Sequence, residues 1–224
     1  MKTVERGQAR ELRAQGWSVK QIERHLGVSR SSVSVWVRDV KLGPEQRRAL
    51  IERVRKGPLI AAERKAAAAR ARRLSYQQAG RQYARERDAS YAAGCMLYWA
   101  EGAKQRNSAL LTNSDPELVT FFAQFLRSHF AVPDDAMRVR CNLYADDLEQ
   151  QRAIENYWLE RLGLPESCLR KSTVNMYSKY SLKKRTNKLP YGTCTLVVHR
   201  SQIVQTIYGS IQEYGGFDRP QWLD

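Results

Sequence analysis

The chain has 224 residues, 42% of them hydrophobic, which is enough for one large or two small domains with a real core. No apolar run approaches the length of a membrane span, and the polar N-terminus lacks the apolar stretch of a signal peptide. From these features we expect a cytoplasmic protein. The net charge of +15 predicts a polyanionic partner.

Residues 18–40 carry the strongest local signal, that of two short helices joined by a tight turn. Ser18 is the predicted N-cap of the first helix and Ser29 that of the second. Gly27 lies at the turn, where a left-handed backbone costs glycine least. The predicted inward-facing residues are Val19, Ile22, Leu26, Val28, Val33, Trp36 and Val37.

The outer face of the second helix combines short hydroxyl side chains with arginines. The predicted base-reading residues are Arg30, Ser31, Ser34 and Arg38. Serines allow close approach to a DNA groove, and arginine reaches guanine edges or phosphates. Lys20 and Lys41 are predicted phosphate contacts.

This stretch, LGVS at 26–29 followed by SSVS-x-W at 31–36, resembles the helix-turn-helix of resolvase-type and many bacterial regulatory proteins. A preceding helix, at about residues 4–15 with Leu12 inward, completes the three-helix unit of residues 1–43. Within the helix-turn-helix, Glu23 departs from the family, which usually has a small residue facing the partner helix at this position. The resemblance implies double-stranded DNA as the partner. A helical hairpin from any small bundle is the alternative interpretation.

Residues 44–87 form a predicted basic helical linker. Pro44 favours the start of one helix that ends near Gly57 and Pro58, and an alanine- and arginine-rich helix follows over 59–87. Residues 1–87 contain 22 Lys and Arg against 8 Asp and Glu, a net charge of +14, whereas residues 88–224 contain 16 against 15. The linker is predicted either to follow the phosphate backbone or to be a solvated connection.

The remainder predicts an α+β domain over 88–215, with 216–224 as a tail. In chain order, the predicted elements are helix 90–101, strand 108–113, helix 115–126, strand 137–144, helix 147–162, strands near 170–177 and 193–200, and helix 201–215. The first helix is apolar nearly all round, which indicates burial. Alternating strands favour an antiparallel sheet with helices on one face.

The opening of this domain, GCMLYWAEGAK at 94–104, resembles the LAGLIDADG homing-endonuclease fold. Glu101 and Gly102 match the motif's final acid–glycine pair, while Met96 and Trp99 depart from its earlier positions. The resemblance implies a catalytic, metal-binding role for Glu101, with magnesium as cofactor, and a sheet that enters the major groove. It also implies a twin helix, which a homodimer would supply.

Cleavage with two metals needs carboxylates beside the scissile phosphate, and no second acid–glycine motif is found. We therefore favour a domain that has lost catalysis and needs no cofactor, in which Glu101 bonds to backbone or to Lys104. A homodimeric, metal-dependent endonuclease is the alternative. The four cysteines and three histidines are scattered and predict neither a zinc site nor a disulfide framework, so the cysteines should be buried, reduced thiols.

The open sheet face and the loop after it are further predicted DNA contacts, with a solvated surface as the alternative. On the sheet these are Arg138, Arg140, Asn142, Tyr144, Lys171, Thr173, Asn175 and Lys179, and in the loop Lys183, Lys184, Arg185 and Lys188.

Together these features predict a sequence-specific DNA-binding protein, most simply a bacterial or phage transcriptional regulator associated with the nucleoid. A DNA-packaging or recombination accessory protein has the same features.

Overall fold

The computed structural model describes residues 2–175 and 189–224. The chain divides into two compact units, Met1–Ala68 and Ala69–Asp224, and the boundary lies within helix α4 (Pro44–Glu86). None of the helices in these ranges is both long and apolar enough to span a bilayer.

The first unit begins with three short helices, α1 (Thr3–Ala14), α2 (Val19–Leu26) and α3 (Arg30–Trp36), and continues into α4. Its core consists of Ala9, Ile22, Val28, Val33 and Val37, all buried. Leu12, Val19, Leu26 and Trp36 pack against this core but are only partly buried. The three predicted helices and their apolar sides are confirmed.

The predicted break near Gly57 and Pro58 is wrong, because α4 continues through both residues. Pro58 lacks the N–H that would bond to the carbonyl of Val54, so one helical hydrogen bond is lost. The alanine- and arginine-rich sequence that follows favours the helix strongly enough to offset this loss. The predicted linker of residues 44–87 is therefore shared between the two units.

In its described residues, the second unit contains the end of α4, four further α-helices and a four-stranded sheet. In chain order these are α5 (Ala89–Glu101), β1 (Ala109–Asn113), α6 (Pro116–Phe130), β2 (Met137–Tyr144), α7 (Leu148–Leu162), β3 (Thr173–Asn175), β4 (Thr193–Val198) and α8 (Ser201–Gly215). Asp115 is the N-cap of α6, and Gly163 is the left-handed C-cap of α7.

The sheet has the order β1-β4-β2-β3, and it is mixed rather than antiparallel as predicted. Strand β4 lies antiparallel to both β1 and β2, whereas β2 and β3 are parallel. The connection through α7 returns the chain to the end of the sheet at which β2 starts, so β3 runs in the same direction as β2. Sequence alternation in β2 carried no information on the direction of its neighbour.

The two faces of the sheet differ as predicted. Strand β2 buries Met137, Val139, Cys141 and Leu143 and alternates them with more exposed polar residues. The buried face packs against helices that include α6 and α7 and forms one large core around Trp158.

Helix α5 is not buried all round, which corrects the sequence prediction. Tyr91, Gly94, Cys95 and Tyr98 are buried, and this face contacts α6, α8 and β1. Trp99 is 38% exposed, and Ala93, Ala100 and Glu101 are also exposed. An apolar composition does not distinguish a helix buried on one side from one buried on all sides.

The end of α4 packs closely on α8 within the second unit. A Cβ on Gly80 would overlap the Thr206 carbonyl, and one on Gly209 would overlap the Gln77 carbonyl. The buried Gln77 side chain donates to Gln205 (2.7 Å) and accepts from Gln212 (3.0 Å). Small residues let the two backbones meet, and paired amides satisfy the polar groups that this contact buries.

Candidate DNA-binding surface

Helix α2 begins with a complete capping box. The Gln21 backbone N–H donates to Ser18 Oγ (3.3 Å), and the Ser18 backbone N–H donates to Gln21 Oε1 (3.0 Å). The helix ends at Gly27, which has φ of 63° and ψ of 26°. This left-handed residue turns the chain directly into α3, as predicted.

Helix α3 begins at the predicted cap, where the Ser32 N–H donates to Ser29 Oγ (3.3 Å). Ser31 Oγ lies 3.1 Å from Ser29 Oγ, so this hydroxyl also belongs to the cap. Val33 and Val37 face the core. Their burial fixes which face of α3 points outward.

The predicted contact residues of the first unit are all exposed. They are Lys20, Arg30, Ser31, Ser34, Arg38 and Lys41. Val35 is 63% exposed on the same helix and was not singled out in the sequence. An exposed valine beside serines and arginines is suited to contact a thymine methyl group. Contact of these residues with DNA remains a prediction.

An ion pair fixes α3 against α1. The Arg10 guanidinium donates to both oxygens of Asp39 (2.6 and 2.8 Å) and to the Trp36 carbonyl (2.9 Å) at the end of α3. The hydrogen bond from Arg10 lowers the pKa of Asp39 to about 2. A bidentate pair of this kind orients two helices as well as joining them.

In the second unit, Glu101 is exposed at the end of α5 and accepts a hydrogen bond from Asn113 Nδ2 (3.2 Å). Lys104 Nζ donates instead to the carbonyls of Trp99 (2.7 Å) and Gly102 (2.6 Å), so the predicted Glu101–Lys104 bond is not formed. Partial burial lowers the pKa of Lys104. Within residues 2–175 and 189–224, no three His, Cys, Asp or Glu side chains are grouped to hold a metal ion. A metal-binding role for Glu101 remains a prediction.

The open face of the sheet aligns several of the predicted polar residues. Arg140 lies opposite Thr195, whose hydroxyl is 2.8 Å from that of Thr112, and Asn175 donates to Asn142 (2.9 Å). Arg140, Asn142, Lys171, Thr173 and Asn175 are exposed, while Arg138 and Tyr144 are partly buried.

Arg138 is directed to the backbone of its own strand, because it donates to the Met137 carbonyl (2.7 Å). The predicted contacts Lys179, Lys183, Lys184, Arg185 and Lys188 lie outside the described residues.

Three helices, a capped glycine turn and an exposed polar face on the last helix define a helix-turn-helix domain of the DNA-binding class. Residues 1–48 match the family model of the homeodomain-like domain. The match spans α1, α2, α3 and the first residues of α4. No curated protein and no solved structure matches the chain.

Proposed function

We propose that this protein is a sequence-specific double-stranded DNA-binding protein that acts as a transcriptional regulator in the cytoplasm, on the chromosome. The observation that carries this proposal is the outer side of α3 and of the turn just after it, where Arg30, Ser34, Val35 and Arg38 are all exposed. The homeodomain-like match over residues 1–48 supports the same assignment.

In this proposal α3 lies in the major groove. Arg30 and Arg38 donate to guanine O6 and N7 or to phosphate, and Val35 contacts a thymine methyl group. The small Ser31 and Ser34 side chains let the helix axis approach the base edges. Lys20 and Lys41 contact phosphates and so set position rather than sequence preference.

The second unit provides a further DNA-binding platform or a dimerisation surface. The exposed polar row that includes Arg140, Asn142 and Asn175 supports the first role. The resemblance of residues 94–104 to the LAGLIDADG motif supports either role, because that family uses both a sheet on DNA and paired helices.

Selection of bound sequences from a random duplex pool tests this function. The full chain at moderate ionic strength should enrich a short consensus. A palindromic consensus with two half-sites would add evidence for a homodimer, because the symmetry of a site mirrors the symmetry of its protein. A pool that stays random after repeated rounds would contradict the proposed function.

A metal-dependent, site-specific endonuclease is the second candidate, and the exposure of Glu101 favours it. Within the described residues its carboxylate has one hydrogen-bond donor, Asn113, so its second oxygen is open to a cation. The test is supercoiled plasmid that carries the selected site, incubated with Mg²⁺. Cleavage by the wild type that Glu101→Gln abolishes supports a nuclease, and an intact plasmid leaves binding as the function.

A further inference from the structure

A cleft of about 1060 Å³ lies in the first unit between α4 and the start of α2. Five cationic side chains line it, and no aspartate or glutamate of the described residues does so. The cations are Lys20, Arg24, Arg30, Arg53 and Arg64. A cleft lined by positive charges alone favours an anionic ligand.

The charge in this cleft is not neutralised within the described chain. None of the five cations forms a salt bridge there, whereas Arg10 pairs with Asp39 and Lys56 pairs with Glu52 elsewhere in the same unit. Arg53 donates to the neutral amide oxygen of Gln21 (2.8 Å). The positive charge of the lining therefore remains available to a ligand.

The bond to Gln21 places Arg53 relative to the DNA-reading motif. Gln21 Oε1 is the same atom that accepts the Ser18 N–H in the capping box of α2. Arg53 is thus attached to the start of the helix-turn-helix, although it lies beyond the homeodomain-like match over residues 1–48.

Arg53 and Arg64 lie on one side of α4. They are eleven positions apart, which corresponds to roughly 16 Å along the helix and about 20° around it. One DNA strand carries a charge about every 3.4 Å of axis, so this separation spans about five phosphates. The face between the two arginines includes Gly57 and Ile60, both of which line the cleft.

We propose that this cleft holds the sugar–phosphate backbone of the duplex that α3 reads, with Arg53 and Arg64 as phosphate contacts outside the homeodomain-like domain. Arg30 lines the cleft and also belongs to the outer face of α3, so it joins the two surfaces. Leu50, Val54 and Ile60 provide apolar contacts for deoxyribose. This inference rests on the proposed function.

The dependence of DNA affinity on salt tests the inference directly. For a fixed duplex, each lost phosphate contact reduces the slope of log K against log salt by about 0.9. The double variant Arg53→Gln/Arg64→Gln should therefore have a slope shallower by about 1.8, with its sequence preference unchanged. Arg48→Gln/Arg55→Gln is the matched control, because both of its arginines lie on α4 but outside the cleft. The control should keep the wild-type slope.

Arg64→Gln alone separates binding from folding. Arg64 has no hydrogen bond or ion pair in the described part of the chain, so its loss should leave thermal unfolding unchanged while the slope falls by about 0.9. A wild-type slope in the cleft variants would overturn the inference and favour an acidic protein segment as the occupant. An equal fall in the control would also overturn it, because the effect would then reflect the charge of α4 as a whole and not the cleft. If those variants still bind DNA through Arg30, the proposed function survives. A wild-type chain that binds no DNA would contradict the proposed function itself.

Discussion

Arg10 and Asp39 form a two-point ion pair that joins α1 to the chain just after α3, with N···O distances of 2.6 and 2.8 Å. The same guanidinium also holds the carbonyl of Trp36, the last residue of α3. The orientation of the proposed DNA-reading helix therefore depends on a charge pair as well as on its buried valines.

This ion pair predicts a pH-dependent component of stability. The hydrogen bond from Arg10 lowers the pKa of Asp39 from 3.8 to about 2, so folding favours the charged carboxylate. The contribution should be complete above pH of about 4, decline between pH 4 and 2, and vanish below pH 2. Urea unfolding of wild type and Asp39→Asn across this range measures the difference. Arg10→Gln should remove the same pH-dependent component. A difference in unfolding free energy between wild type and Asp39→Asn that stays unchanged from pH 5 to below pH 2 would contradict this assignment.

Replacing Gly80 should destabilise the second unit. A methyl group there would overlap the Thr206 carbonyl, which belongs to α8 and has little freedom to move. Gly80→Ala should lower the free energy of unfolding by about 1–3 kcal/mol. Gly57→Ala is the control on the same helix, because its Cβ would meet no atom within 4 Å. The control should gain about 0.5–1 kcal/mol, and calorimetry distinguishes the two outcomes. Equal effects of both substitutions would argue against the close packing of α4 on α8.

Removing the N-cap of α2 should lower the stability of the DNA-binding unit. Ser18→Ala loses the hydroxyl that accepts the Gln21 N–H, at a cost of about 1 kcal/mol. Ser34→Ala serves as the control, since Ser34 is exposed and makes no side-chain hydrogen bond in the described residues. Thermal unfolding should show a loss for Ser18→Ala alone, and an equal loss in both would count against the capping box.

The four cysteines should be unreactive in the native protein. All four are buried free thiols, and burial raises the pKa of Cys95 to about 12. An aromatic disulfide reagent at pH 8 should label none of them in buffer and all four in denaturant. Ser75→Cys adds an exposed thiol as a positive control. Rapid labelling of the native wild type would show that the core of the second unit, which contains all four cysteines, opens readily.

Features set by neighbours in the chain were predictable from the sequence. The caps at Ser18 and Ser29, the turn at Gly27 and the alternation in β2 are confirmed, because each depends on residues a few positions away. The parallel direction of β3 was missed, because it depends on where the α7 crossover returns the chain.

The candidate DNA-binding surface likewise has some features that the local sequence predicts and others that it does not. Exposure of Ser31 and Ser34 followed from the helical period, which turns both away from the buried Val33, whereas Arg30 is exposed at the first position of α3 and Arg38 just after its end. The bond between Arg53 and Gln21 joins residues 32 positions apart, and no local pattern indicates it. Val35 was overlooked because a valine in a helix ordinarily suggests the core.

The most direct test of sequence reading by α3 is the ratio of affinities for the selected duplex and a scrambled duplex of equal composition, measured at one moderate salt concentration. We predict a wild-type ratio of at least about 10³. Arg30→Ala and Arg38→Ala should each cost about 1–3 kcal/mol on the selected duplex, with much less effect on the scrambled one. Equal wild-type affinity for both duplexes, or a ratio that the two substitutions leave unchanged, would contradict the account.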